Sequence, residues 1–141
     1  MPETPPNTTP AYPLMENAAE WLQAESGRLI SDITLEAAAS DALSGDDLKI
    51  RAETLQAQAQ VARQAGYTQL AANLTRAAEL TAVPNEDLLQ MYEQLRPRRA
   101  AFEELIALAQ KLEETYRAPT TAAFIREAAL VYQTRGLLRR D

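Results

Sequence analysis

The sequence predicts an all-α protein: a compact single-domain helical bundle of about five to six helices with an extended N-terminal arm. Three observations predict it. Apolar residues recur at helical spacing over most of residues 14–141. Capping residues, prolines and single glycines fall at the ends of those periodic stretches. There is no strand-rich block and no internal repeat.

Residues 1–13 hold five of the eight prolines, at Pro2, Pro5, Pro6, Pro10 and Pro13. Proline removes backbone donors and disfavours helix in the residue before it, so a flexible or extended arm is expected. The folded domain is expected to span 14–141. Residues 14–24 can form a short helix with Leu14, Ala18, Trp21 and Leu22 on one side, broken by Ser26-Gly27. Trp21, the only tryptophan, reads as a packing anchor. Residues 29–33 are extended in character. Thr34 can then cap a small helix reaching about Ala42, with Glu36 near its positive end.

Longer helices follow. One spans about Ala52 to Gln64, with Leu55, Ala59 and Ala62 on one stripe and Gly66 as its left-handed terminator. The next starts after Thr68 and carries Leu70, Leu74, Ala77 and Ala78. Another follows Pro84, with Asn85 as N-cap and a buried side of Leu88, Leu89, Tyr92 and Leu95. A helix from about Ala101 to Tyr116 has the cleanest amphipathic pattern, through Phe102, Leu105, Ile106, Ala109, Leu112 and Tyr116. On it, Glu113 lies four residues before Arg117, an order that favours a surface pair. The last helix begins near Thr120 or Thr121 and reaches about Thr134, with Gly136 as its stop and with Phe124, Ala128 and Val131 on one face, flanked by Leu130 and Tyr132.

Composition narrows the function. Cysteine and histidine are both absent. That removes disulfides, Cys/His zinc sites, thiol nucleophiles and the commonest general base. A net charge of −6 opposes nucleic-acid binding. No apolar run approaches the roughly 18 residues needed to cross a bilayer, and residues 1–13 lack the features of a secretory signal. A cytoplasmic protein with no membrane partner is expected. Alanine supplies 27 of the 141 residues. Alanine buries little area, and stabilisation scales with apolar area at roughly 25 cal/mol per Å2. The chain's own core is therefore expected to be thin, and a partner covering part of its surface is one remedy.

No constellation of side chains suggests catalysis. The four glycines are isolated and form no phosphate loop. Asp46-Asp47 and Glu103-Glu104 are adjacent pairs, which do not face each other on a helix, and both read as solvated charges at helix starts. Arg96-Pro97-Arg98-Arg99 is the densest basic cluster and reads as an ion-pairing surface, since arginine forks suit carboxylates at interfaces. Tyr92, Tyr116 and Tyr132 read as core packing.

Several segments resemble the small (gamma) subunit of adenosylcobalamin-dependent propanediol and glycerol (diol) dehydratases. The sharpest are Arg76-Ala-Ala-Glu-Leu-Thr-Ala-Val-Pro-Asn85 with Leu88-Leu-Gln-Met-Tyr-Glu-Gln-Leu-Arg-Pro97, and Ala122-Ala-Phe-Ile-Arg-Glu-Ala-Ala129 with Val131-Tyr132. Tyr12-Pro13-Leu14, Asp32-Ile-Thr-Leu-Glu36, Glu53-Thr-Leu-Gln-Ala-Gln58 and Glu103-Glu-Leu-Ile-Ala107 add to it in the family's order. Two departures touch helix starts: Arg51-Ala52 stands where relatives often have Thr-Pro, and Ala100-Ala101 where they often have Ser-Thr.

The resemblance implies a non-catalytic subunit of a hydro-lyase that converts 1,2-propanediol or glycerol to an aldehyde. It implies large (alpha) and medium (beta) subunits as partners in a dimer of heterotrimers, with coenzyme B12 bound by those subunits and none on this chain. No catalytic, cofactor-binding or metal-binding residue is expected here. The interface candidates are Arg76, Glu79, Tyr92, Arg96, Arg98, Arg99, Phe124, Arg126 and Tyr132, which lie in or beside the best-matched segments. Association with a bacterial microcompartment stays open, because the arm lacks the amphipathic helix of an encapsulation peptide. The competing expectation is a free-standing helical adaptor that binds an unrelated protein.

Overall fold

Helix ends in this chain are set by local chemistry. Gly66 and Gly136 adopt φ of +87° and +67°, the left-handed region that glycine enters without a Cβ penalty. The residue after each then donates back across the last turn, Tyr67 N–H to the Ala62 carbonyl and Leu137 N–H to the Tyr132 carbonyl, both at 2.8 Å. Between such stops, a computed structural model describes residues 11–140, and the residues it describes are all-α. The expected proline-rich arm lies mostly outside them; of it, Ala11, Tyr12 and Pro13 are described, with a cis bond between Tyr12 and Pro13.

Seven α-helices are present among the described residues: α1 (Leu14–Asn17), α2 (Leu35–Ala39), α3 (Ala52–Gln64), α4 (Thr68–Leu80), α5 (Asn85–Gln94), α6 (Phe102–Glu114) and α7 (Pro119–Arg135). Two short 3-10 stretches, Ile30–Asp32 and Gly45–Leu48, join them. The five long helices lie where the periodicity places them. The short helices are shorter than expected. α1 stops at Asn17, because the chain beyond it turns to make two isolated antiparallel bridges, Gln23 with Leu29 and Ala24 with Ile50. Thr34 caps α2 as expected, its Oγ1 accepting the Ala37 N–H at 3.2 Å. Asn85 is the first residue of α5 rather than its cap, a role that falls to Pro84.

The chain divides into two compact units, the first ending at Ala78 and the second starting at Glu79. In the first unit, Leu14, Leu22 and Ala57 form a small buried cluster, and Trp21, Ile30 and Val61 pack against it. In the second unit the core is larger. Leu105 and Leu112 of α6 meet Ile125 of α7, with Met91 of α5 and Val83 joining the same cluster. Ala109, Ala118, Ala122 and Ala129 are fully buried there. Their small side chains let α6 and α7 approach closely, and dispersion over that contact compensates for the modest area each residue buries.

Small residues fill the interior throughout. Among the described residues, twelve of the twenty buried apolar residues are alanine. The larger apolar residues often face outward, and here three helical faces differ from expectation. α4 buries Ala71 and Ala78 and leaves Leu70 half exposed. α5 buries Met91 while Leu89 and Tyr92 are exposed. α7 buries Thr121, Ala122, Ile125 and Ala129, and exposes Phe124, Leu130 and Val131. α6 matches its predicted stripe: Leu105, Ala109 and Leu112 are buried, with Phe102, Ile106 and Tyr116 packed against the cluster.

Candidate functional site

The first unit carries an apolar groove of about 910 Å3. Its walls combine Leu14 of α1, Leu22, Ile50, Val61 of α3, and Leu70 and Leu74 of α4. Tyr12, Met15, Leu48 and Tyr67 also line it, and all four are at least half exposed, Leu48 at 73%. Exposed leucine and tyrosine side chains gathered on one concave surface have the character of a protein-docking face. Sequence periodicity does not reveal this groove, because several of its residues come from irregular segments between helices.

Asp47 organises one wall. It is 5% exposed, against the expectation of a solvated charge. Burial is sustained by partners that satisfy the carboxylate. Ser26 Oγ donates to it at 2.5 Å, Ser44 N–H at 2.7 Å, and the Arg28 guanidinium lies 3.2 Å away. The Ser26 hydroxyl, then the Ser44 N–H, hold its pKa down to about 2, with Arg28 adding to the effect. The two chain segments that these bonds tie together adjoin Leu22 on one side and Leu48 and Ile50 on the other.

In the second unit, Glu79 caps α7. Its carboxylate accepts the N–H groups of Thr120 and Thr121 at 3.0 and 2.7 Å, and the Thr121 hydroxyl at 2.7 Å. These satisfy donors that a helix start otherwise leaves unpaired, and the negative charge suits the positive end of the helix. Tyr132 donates its hydroxyl to the Leu95 carbonyl at 2.5 Å, joining α7 to the end of α5. Asp87 accepts from the Tyr116 hydroxyl and from Lys111, at 3.3 Å for the latter. Tyr116 and then Lys111 hold the Asp87 carboxyl below its usual range, and Asp87 pushes the Tyr116 hydroxyl up.

The predicted interface residues thus sort into groups. Glu79 and Tyr132 are engaged inside the second unit. Arg96 and Arg99 both pair with Glu93, at 3.1 and 3.4 Å, on an exposed surface. Arg126 pairs with Glu113 at 2.5 Å, taking the glutamate expected to pair with Arg117. Arg117 instead has φ of +52° beyond the end of α6, which carries it out of helical register. Tyr92 and Phe124 are exposed aromatics, at 57% and 45%. Arg98 is exposed, and Arg76, in the first unit, donates to Asn73.

The helix starts that depart from the family pattern are weakly capped. Neither Arg51 nor Ala101 makes a side-chain cap bond. At α6, Glu104 reaches back to the Ala101 N–H at 2.7 Å and supplies half of a capping box. That N–H first, then Arg139, hold the Glu104 carboxyl below its usual range.

Among the described residues, no three acidic side chains gather as a metal site, and no helix is long and apolar enough to cross a membrane. The model of a family described as dehydratase small subunit matches residues 8–139. The chain belongs to the dehydratase small-subunit family. It is 44% identical over 130 residues to the propanediol dehydratase small subunit of Citrobacter freundii, covering 92% of this chain and 76% of that protein. It is 45% identical over 130 residues to the propanediol dehydratase small subunit of Salmonella typhimurium, covering 92% and 75%. A dehydratase small subunit belongs to an enzyme that has other subunits.

Proposed function

We propose that this chain is the structural small subunit of a coenzyme B12-dependent dehydratase acting on 1,2-propanediol or glycerol, and that it works by packing against the large subunit. One observation carries the reading. The chain turns alanine inward and leaves twelve large apolar residues exposed among the described residues, Tyr12, Leu48, Tyr67, Leu70, Leu89, Tyr92 and Phe124 among them. Burying such residues on assembly stabilises a complex by about 1.5–3 kcal/mol for each one fully covered, before the costs of association are subtracted.

The apolar groove is the principal docking face of the first unit. In the second unit the outer stripes of α5, with Tyr92, and of α7, with Phe124, contact the partner. The flanking arginines Arg96, Arg98, Arg99 and Arg126 form its polar rim, and Arg76 is a separate contact residue of the first unit. Glu79 and Tyr132 serve the interface indirectly, by fixing where α7 begins and how it meets α5. Residues 14–141 act as the dehydratase small-subunit domain, to whose groove Tyr12 and Pro13 also belong. The full assembly is a dimer of trimers that also contains a medium subunit, and it resides in the cytoplasm.

Adenosylcobalamin supplies the radical chemistry when bound to the assembled enzyme. The donor set of this chain does not suit it. The groove is walled mainly by leucine, isoleucine, valine and tyrosine rather than by partners for the corrin amides. The cofactor belongs to the other subunits, and no catalytic step passes through residues of this one.

Co-expression tests the reading. Large and medium subunits produced with this chain should co-purify with it and dehydrate 1,2-propanediol. Omitting it should lower the yield of assembled, active enzyme. Undiminished assembly and activity in its absence would overturn the reading.

A further inference from the structure

The sequence cluster Arg96, Arg98 and Arg99 is half of a larger basic face. Two main-chain hydrogen bonds zip its loop to the chain's last described residues: Arg98 N–H donates to the Leu137 carbonyl at 2.7 Å, and Arg139 N–H to the Ala100 carbonyl at 2.8 Å. The Arg139 guanidinium also lies on the Arg99 carbonyl at 3.4 Å. Loop and tail therefore bring Arg139 and Arg140 beside the first three, with Arg135, at the end of α7, two residues before the Leu137 contact. All six are exposed, and together they are six of the 14 cationic residues of a chain whose net charge is −6.

The carboxylates recorded on this face are Glu93 and Glu104. Glu93 is shared by Arg96 and Arg99, and Glu104 holds Arg139 at 2.9 Å. Among the described residues, Arg98, Arg135 and Arg140 have no carboxylate within ion-pairing distance; Asp141, next in sequence, lies outside them. Arg98 also has φ of +66°, a region that favours glycine. Glycine would make this turn with less strain, whereas arginine keeps a guanidinium at its tip. A polyanion such as a nucleic acid would meet repulsion from the rest of an acidic protein, while a short carboxylate-bearing segment would meet only this face.

We propose that the face formed by the 96–99 loop and the 135–140 tail is an electrostatic docking site for a carboxylate-rich surface segment of another subunit of the dehydratase. This rests on the reading of the chain as a subunit of that enzyme. Guanidinium forks engage carboxylates in bidentate pairs, and exposed pairs of this kind govern encounter and register more than final affinity. The tail is thereby part of the interface, although the sequence singled out only the loop.

The test is association of the full chain with co-expressed large and medium subunits, measured at graded ionic strength. Arg98→Glu with Arg135→Glu reverses two charges without touching the recorded ion pairs, and Arg98→Lys with Arg135→Lys keeps them. Thermal melting of each isolated variant should match the unaltered chain. At about 0.05 M salt the reversal should weaken association on the order of tenfold, and at about 0.5 M salt by less than about twofold, while the lysine variant stays near the original. Equal affinity and equal salt dependence of the reversed and original chains would overturn this proposal and leave the subunit reading intact. Absence of association by the original chain at every salt concentration would overturn both. Binding of a single-stranded oligonucleotide that the same reversal abolishes would also overturn it, by assigning the face to a polyanion.

Discussion

Glu79 and Thr121 lie 42 positions apart in sequence, yet the Glu79 carboxylate accepts both the N–H and the hydroxyl of Thr121 at 2.7 Å. The contact ties the end of α4 to the start of α7. It also joins one of the segments that most resemble the family, Arg76–Asn85, to the residues just before another, Ala122–Ala129.

Replacing Glu79 with alanine should therefore lower the stability of the second unit by about 0.5–2 kcal/mol, the range for losing a helix cap. Glu79→Gln keeps an acceptor and should lose less. Denaturant unfolding followed by circular dichroism checks both.

The opposite effect is expected at α6. Ala101 occupies the N-cap position without a side-chain acceptor, while Glu104 already reaches back to its N–H. Ala101→Ser completes the reciprocal box and should raise stability by about 1 kcal/mol. A higher melting temperature with an unchanged helical spectrum is the expected result.

Inward and outward apolar residues should respond differently to truncation. Leu105 is fully buried, so Leu105→Ala should cost about 2–5 kcal/mol. Leu48→Ser with Ile50→Ser, at two exposed positions in the groove, should leave the melting temperature almost unchanged and reduce co-purification with the large subunit. Comparing the two variants by melting and by pull-down separates folding from docking.

Acid should loosen the first unit through Asp47. Its carboxyl titrates at about 2 when folded, against about 3.9 in an unfolded chain. A depressed folded value means that the contribution is complete above about pH 4 and is lost as pH falls towards about 2. The stability difference between the original chain and Asp47→Asn should accordingly be constant near neutrality and shrink below about pH 4. Unfolding curves collected from about pH 2 to 6 test this.

Tyr132→Phe removes the hydroxyl that donates to the Leu95 carbonyl. The loss should be about 0.5–1.5 kcal/mol, the net value of one hydrogen bond, and unfolding of the variant measures it.

Much of this was legible in the sequence, for identifiable reasons. Gly66 and Gly136 marked helix ends because left-handed backbone suits glycine. α6 was readable residue by residue because its inward stripe uses leucine, which periodicity detects. The inward faces of α4, α5 and α7 were not. There Ala71, Ala78, Met91, Ala122 and Ala129 are buried, while Leu70, Leu89, Tyr92 and Phe124 are exposed, so a reading weighted by side-chain size selects the outer face. Asp47 was misread because Ser26, 21 positions away, meets it only in the folded chain. The apolar groove was missed for a related reason: it is assembled from segments without a periodic signal.

The groove has a consequence for life in the cell. A newly made copy displays sticky surface to every neighbour until its proper companions arrive, so unequal production of the components would favour clumping. Matched output, with capture soon after synthesis, would keep such a molecule out of aggregates and of the reach of proteases that clear orphan subunits.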